Sequence, residues 1–149
     1  MSVEGTRGAS GEFVDTNVLI YAFDRGAGEK HGVAAELVTR LWMERRGCIS
    51  IQVMQEFYVS ATRKLQMPEE QATVQLRRLR LWRVHRPSVD DILAAIELHQ
   101  RHSVSFWDGM ILRSAQASRC SVLWTEDLAN GQRWGEMEVR NPFARPPKG

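Results

Sequence analysis

The sequence predicts an α/β protein with a mostly parallel sheet and helices on both faces. Short apolar runs of strand character, at residues 12–15, 48–50 and 121–124, alternate with longer segments of helical apolar spacing. That alternation argues a layered α/β architecture. Helix-start signals of Ser-x-x-Asp form stand at Ser88 and Ser105. Two of the strand runs end in acids, and ligands of such sheets bind at the carboxyl ends of the strands.

In chain order, Glu12-Phe13-Val14-Asp15 is the first strand and the following NVLIYAFD a short helix. Asp24 to Gly28 is a loop by its glycines. From Glu29 to Arg46, Val33, Leu37, Val38, Leu41 and Trp42 recur at helical spacing, and Gly47 is the expected C′ residue that stops the helix. Cys48-Ile49-Ser50 is a short strand. Ile51 to Leu65 is helical, with Val53, Met54, Phe57, Tyr58 and Ala61 on one side. Pro68 followed by Glu69 and Glu70 opens a helix to about Leu79, since proline and acids both suit a first turn. Trp82-Arg83-Val84 reads as a strand. Helices from Ser88 towards His102 and from Ser105 to about Ser118 follow. Ser121 to Trp124 is a strand running into Thr125-Glu126-Asp127, and Met137-Glu138-Val139 is a weak last strand.

A chain of 149 residues with 43% hydrophobic and 26% charged residues fits one domain with a real core. The expected division is a flexible lead-in at 1–11, a domain at 12–143 and a tail at 144–149. The net charge of +2 is too small to argue a partner. Cys48 and Cys120 belong to no CxxC pair, which disfavours a disulfide framework or zinc knuckle and suits a reducing, cytoplasmic setting. No apolar run approaches the roughly 20 residues of a membrane span, and the N-terminal residues lack the apolar middle of a signal peptide.

Four acids stand where they can converge on one end of a parallel sheet: Asp15, Glu56, Asp108 and Asp127. Magnesium and manganese take oxygen ligands, keep several waters and need only one or two direct carboxylates. Each acid also has a plainer reading. Asp15 suits a helix cap. Glu56 suits a solvated helix glutamate, yet it borders an apolar helix side, where a glutamate wants a partner. Asp108 fits the last position of a capping box begun by Ser105, and Asp127 fits a turn.

Taken together, Val14-Asp15-Thr16-Asn17, Gln55-Glu56-Phe57, Phe106-Trp107-Asp108 and Leu123-Trp124-Thr125-Glu126-Asp127 resemble a PIN-domain ribonuclease of the VapC-like toxin group. Order, spacing and strand or helix context carry the likeness, roughly from Glu12 to Phe143. The segment QEFYVSATRKL departs mildly from the shorter pattern of many relatives. The resemblance implies a three-layer PIN-like fold and RNA cleavage dependent on Mg²⁺ or Mn²⁺. Asp15, Glu56 and Asp108 match the family's three acids and Asp127 its more variable fourth, while Thr16, Asn17 and Thr125 match supporting polar positions. It also implies a VapB-like antitoxin as partner and a homodimer. A non-catalytic nucleic-acid-binding or scaffold protein on the same fold is the alternative. A DNA or flap nuclease is a third reading, which the short chain disfavours.

A cleft of carboxylates needs compensating cations to hold RNA. Arg77, Arg78, Arg80, Arg83 and Arg86 crowd one segment and Arg63-Lys64 another, most of them expected to be solvated. Arg113 is a candidate to approach the cleft. Trp107 is expected in the core, with base stacking as the sharper reading. Leu41, Trp42, Phe57 and Tyr58 are groove candidates for the antitoxin and, more so, core candidates. His99 and His102 share helical spacing but lack a third ligand, so a surface pair is expected.

Overall fold

Six strands form one sheet in the computed structural model, which describes residues 10–145: β1 (Glu12–Val14), β2 (Gly47–Ser50), β3 (Arg83–His85), β4 (Val122–Trp124), β5 (Arg133–Trp134) and β6 (Met137–Arg140). Their order is β3-β2-β1-β4-β6-β5, parallel throughout except for the antiparallel β5–β6 pair. The mostly parallel sheet expected from the alternation is therefore present. The helices are α1 (Thr16–Tyr21), α2 (Glu29–Glu44), α3 (Ile51–Arg63), α4 (Glu69–Leu79), α5 (Val89–His102) and α6 (Phe106–Ala117), with a 3₁₀ turn at Arg25–Ala27. Most of the lead-in and tail expected at 1–11 and 144–149 lies outside the described residues. Ser10 and Gly11 are held, because Arg46 Nε donates to the Ser10 carbonyl at 2.9 Å and Ser121 N–H to the Gly11 carbonyl at 2.9 Å.

β1 is central and buried on both faces, as a parallel strand covered by helices must be. Phe13, Val14, Ile49, Leu123 and Val139 from the sheet meet Leu19, Leu41, Val53, Phe57 and Leu112 from the helices, all fully buried. The one acid inside β1, Glu12, lies under Arg40 at 3.0 Å and Arg46 at 2.9 Å and accepts from Trp124 Nε1 at 2.8 Å. Burial pushes its carboxyl up, but these bonds and the two arginine charges outweigh that and hold it below its ordinary value.

Local signals place the helix starts. Ser50 caps α3 by accepting from Val53 N–H. Ser88 and Asp91 close a full capping box on α5. Ser105 caps α6 through Asp108 N–H. The end of α2 differs from expectation. Its last turn closes on Arg45 in the left-handed conformation, φ 57°, and Gly47 is instead the first residue of β2. A Cβ on Gly47 would stand 2.4 Å from the Trp82 ring, so the glycine answers a close approach and not a helix stop. The two-residue β5 was not foreseen. It pairs Trp134 with Met137 around a tight turn at Gly135, φ 65°. Cys48 and Cys120, distant in sequence, are buried neighbours with free thiols, and the hydrogen bond from Cys120 lowers the Cys48 thiol below its ordinary value.

Candidate active site

Parallel pairing of β1 with β4 brings their carboxyl ends level, Val14 opposite Trp124. The next residues, Asp15 and Thr125, therefore emerge side by side, with Asp15 N–H bonded to the Trp124 carbonyl at 3.0 Å. Asp15 caps α1, its Oδ1 accepting from Thr16 N–H at 2.7 Å. Its Oδ2 accepts from the Thr125 hydroxyl at 2.8 Å. The cap reading and the buried-acid reading thus describe the same side chain, which is only 5% exposed.

Glu56 projects from the middle of α3 and finds the partner its position demanded. The Thr16 hydroxyl donates to its Oε1 at 2.6 Å, and Gln52 Nε2 approaches its Oε2 at 3.4 Å. Thr16 thus holds Asp15 with its backbone and Glu56 with its side chain. Asp108, half-buried in the first turn of α6, gives its N–H to Ser105 Oγ at 3.0 Å. Asp127 is exposed in the turn after β4, its N–H bonded to Thr125 Oγ1 at 3.1 Å. Asn17 does not touch Asp15; its amide reaches Thr125 Oγ1 only at 3.5 Å. Its own Oδ1 is buried without a partner among the described residues.

These side chains line one cavity of about 740 Å³. Six carboxylates border it: Asp15, Asp24, Glu56, Asp108, Glu126 and Asp127. Lys64 is the one cation among the described lining residues. Asp24 and Glu126 were not singled out from the sequence. The signal for Glu126 was present in Thr125-Glu126-Asp127, but which of two adjacent acids faces the cavity is not readable from spacing. Both do, and Glu126 is bound by Lys30 at 2.8 Å. Burial, reinforced by the charges of Asp127 and Glu56, pushes the Asp15 carboxyl up to about 7 against the hydrogen bonds of Thr125 and Thr16. Burial, with the same two charges, also raises Asp108 against the Ser105 hydrogen bond. A cavity with that excess of negative charge favours protons or cations.

Among the described residues no three His, Cys, Asp or Glu side chains stand close enough to cage an ion outright. The donor set nevertheless suits a hard divalent cation. It is all oxygen, and magnesium keeps several waters while taking only one or two direct carboxylates. The unpartnered Asn17 oxygen is a further acceptor for such a hydration shell.

Trp107 and Arg113 depart from expectation, while the arginine run, the histidine pair and the core placing of Leu41 and Phe57 follow it. Trp107 is 61% exposed at the cavity rim, because its place in the first turn of α6 leaves nothing to cover it. Arg113 does not approach the cleft; it pairs with Asp91 at 2.8 Å. Of the groove candidates, Leu41 and Phe57 are fully buried, Tyr58 is half-buried and Trp42 is 39% exposed. Arg77, Arg78, Arg80, Arg83 and Arg86 are exposed, and Arg83 donates to the Ser118 carbonyl at 2.7 Å. His99 and His102 are both exposed, and His102 stands edge-on to Trp134.

Comparisons with known proteins agree on one fold. The family described as PIN domain matches residues 13–129. No curated protein matches the chain. Among solved structures, a chain of a toxin–antitoxin complex from Klebsiella pneumoniae is 25% identical, with a TM-score of 0.65, covering 89% of this chain and 98% of that one. VapC20 of Mycobacterium tuberculosis, a toxin that cleaves the sarcin-ricin loop, is 22% identical with a TM-score of 0.59, covering 75% and 86%. A chain of VapBC2 from Rickettsia felis, bound to DNA from its promoter, is 18% identical with a TM-score of 0.61, covering 87% and 97%.

Proposed function

The chain belongs to the PIN domain family, and from that premise we propose that it is a metal-dependent endoribonuclease, the toxin of a VapBC-type pair. The observation that carries the reading is the convergence of Asp15, Glu56, Asp108 and Asp127, from four separate parts of the chain, on one cavity at the carboxyl ends of β1 and β4. A non-catalytic scaffold gains nothing from a buried Asp15 carboxyl held so far above its ordinary range.

Asp15, Glu56 and Asp108 would hold Mg²⁺ or Mn²⁺, directly or through water, with Asp127 at the exposed margin. When bound, such an ion acidifies an attacking water and screens charge on the phosphoryl and leaving oxygens. The chain's own contribution is placement. Thr125 fixes the Asp15 carboxylate, and Thr16 ties Asp15 and Glu56 to one residue so that both face the same space. Asp127 would order water or a further ion at the cavity mouth, and Asn17 Oδ1, unpartnered among the described residues, would accept from a hydration shell.

By the same reading, an antitoxin covers the acidic site until the toxin is released, and the toxin works as a homodimer in the cytoplasm. The toxin–antitoxin complexes among the similar structures support the antitoxin partner. Among the described residues no helix is long and apolar enough to cross a membrane. The test is Asp15→Asn. It should abolish RNA cleavage in Mg²⁺ or Mn²⁺ and the rise in melting temperature that Mn²⁺ gives the wild type. Full metal-dependent cleavage by the variant would sink the assignment.

A further inference from the structure

Six carboxylates border the cavity, and they are not all held in the same way. Asp15 and Glu56 accept from hydroxyl and amide donors. Asp24 Oδ1 accepts from Gly26 N–H at 3.1 Å as the cap of the 3₁₀ turn. Glu126 alone of the six has a basic side chain against it among the described residues, with Lys30 Nζ 2.8 Å from its Oε2.

The lysine is fixed from three sides. Its Nζ lies 4.9 Å from the centroid of the Tyr21 ring and 5.2 Å from that of Phe143. Those two rings meet edge-on at 5.1 Å. The same ammonium reaches the Tyr21 hydroxyl at 3.4 Å. The ends of α1 and α2 are joined here, because His31 Nδ1 lies 3.0 Å from the Tyr21 carbonyl. Phe143 comes from the segment after β6, which Asn130 Oδ1 holds by accepting from Asn141 N–H at 2.9 Å. Lys30 is 44% exposed, and an exposed ion pair is ordinarily too loose to matter. This one is set between two aromatic rings and an acid only 23% exposed. Glu126 directly precedes Asp127 and lines the same cavity, so its carboxylate competes for the same cation unless another charge takes it.

We propose that Lys30 is a positioning residue of the site: by holding Glu126 it withholds that carboxylate from the metal and cancels its charge towards the substrate phosphates. The proposal rests on the metal-dependent reading above. It makes the Lys30–Glu126 pair the setting between two opposed demands. A divalent ion binds more tightly the more carboxylates it finds, whereas a polyanion is repelled by each one left uncompensated.

The test reads metal and RNA separately. Mn²⁺ alone is titrated by calorimetry into the wild type, Lys30→Met, Lys30→Arg, Glu126→Gln and the protein carrying both Lys30→Met and Glu126→Gln, with circular dichroism confirming that each is folded. Lys30→Met should bind Mn²⁺ about five-fold more tightly, the order expected of one unit charge acting through water at a few ångströms. At saturating Mn²⁺ its KM for RNA cleavage should rise by about the same factor. A damaged fold would weaken both, so the opposite signs separate positioning from mere structural support. Lys30→Arg keeps the charge and should match the wild type in both readouts. In the double variant the gain over Glu126→Gln should shrink to about two-fold or less, because there is no carboxylate left to release. Unchanged or weaker Mn²⁺ binding by Lys30→Met would overturn the proposal, as would an unchanged KM or an undiminished gain in the double variant. The two readings fail separately. Mn²⁺ binding that survives Asp15→Asn removes the metal assignment, whereas binding that is lost in Asp15→Asn but indifferent to Lys30→Met removes only the role of the lysine.

Discussion

Replacing Asp15 by asparagine should stabilise the metal-free protein at pH 8 and do little below pH 4. Folding raises the Asp15 carboxyl from 3.8 to about 7. Between those values the folded state binds a proton that the unfolded chain has released, so wild-type stability falls as pH rises through that window and levels off above it. Each pKa unit corresponds to ~1.4 kcal/mol, so the ionised carboxylate costs the fold about 4 kcal/mol at pH 8. Asparagine carries no such charge. Its oxygen still accepts from Thr16 N–H and its amide faces Thr125 Oγ1, and the bonds to the charged form are already counted in that cost. A gain of about 4 kcal/mol corresponds to a melting temperature roughly 12 °C higher for a domain of this size. The assay is thermal unfolding of both proteins in EDTA from pH 4 to pH 8.5, followed by circular dichroism. A gap between the two proteins that is constant over this range would refute the reasoning, because it would mean that Asp15 does not carry the proton the geometry assigns to it. Adding Mg²⁺ at pH 8 should then close the gap by stabilising the wild type alone.

Thr16→Val removes the hydroxyl that donates to Glu56 but keeps the N–H on Asp15. Cleavage kcat should fall by about ten-fold, with the melting temperature lowered by no more than ~4 °C. Gly47→Ala drives a methyl group into the Trp82 ring; urea titration should show a loss of ~1–3 kcal/mol, with cleavage per folded molecule unchanged. Asp91 is held down to about 2, first by the Ser88 backbone N–H and then, against burial, by Arg113, the Ser88 hydroxyl and the His85 charge. Its stabilising contribution is present above pH 4 and lost as pH falls towards 2, so Asp91→Asn should flatten the acid limb of an unfolding titration.

Whatever rested on local chemistry was legible in the sequence. Ser88 and Ser105 announce their helices because a cap is a contact within three or four residues, and Glu56 announces its need for a partner because an acid at an apolar border is itself a local conflict. What depends on a distant neighbour was not legible. Gly47 looks like a helix stop until Trp82, just before β3, is seen to lie over it. Arg113 lies five residues after Asp108, which suggested the cleft, yet its partner is on α5. Trp107 is a residue type usually buried, and its exposure follows from where the first turn of α6 meets the cavity rim. The short β5 has too few residues to give a periodic signal and depends on pairing with β6. For the site, the four acids could be named but not their mutual support. That Thr125 grips Asp15 across 110 positions follows from the β1–β4 register alone.

β1 opens on one acid and is followed at once by another, and the two are treated in opposite ways. Glu12 lies under two arginines and an indole N–H, and it is ionised below its ordinary range. Asp15, directly after the strand, is given hydroxyl and amide donors but no basic side chain among the described residues. The strand thus joins an arginine-anchored carboxylate at one pole to a carboxylate held only by neutral donors at the other. A designer seeking a hardier protein would place a lysine beside Asp15, and would obtain a more stable fold whose ammonium group permanently fills the place that a metal ion would take.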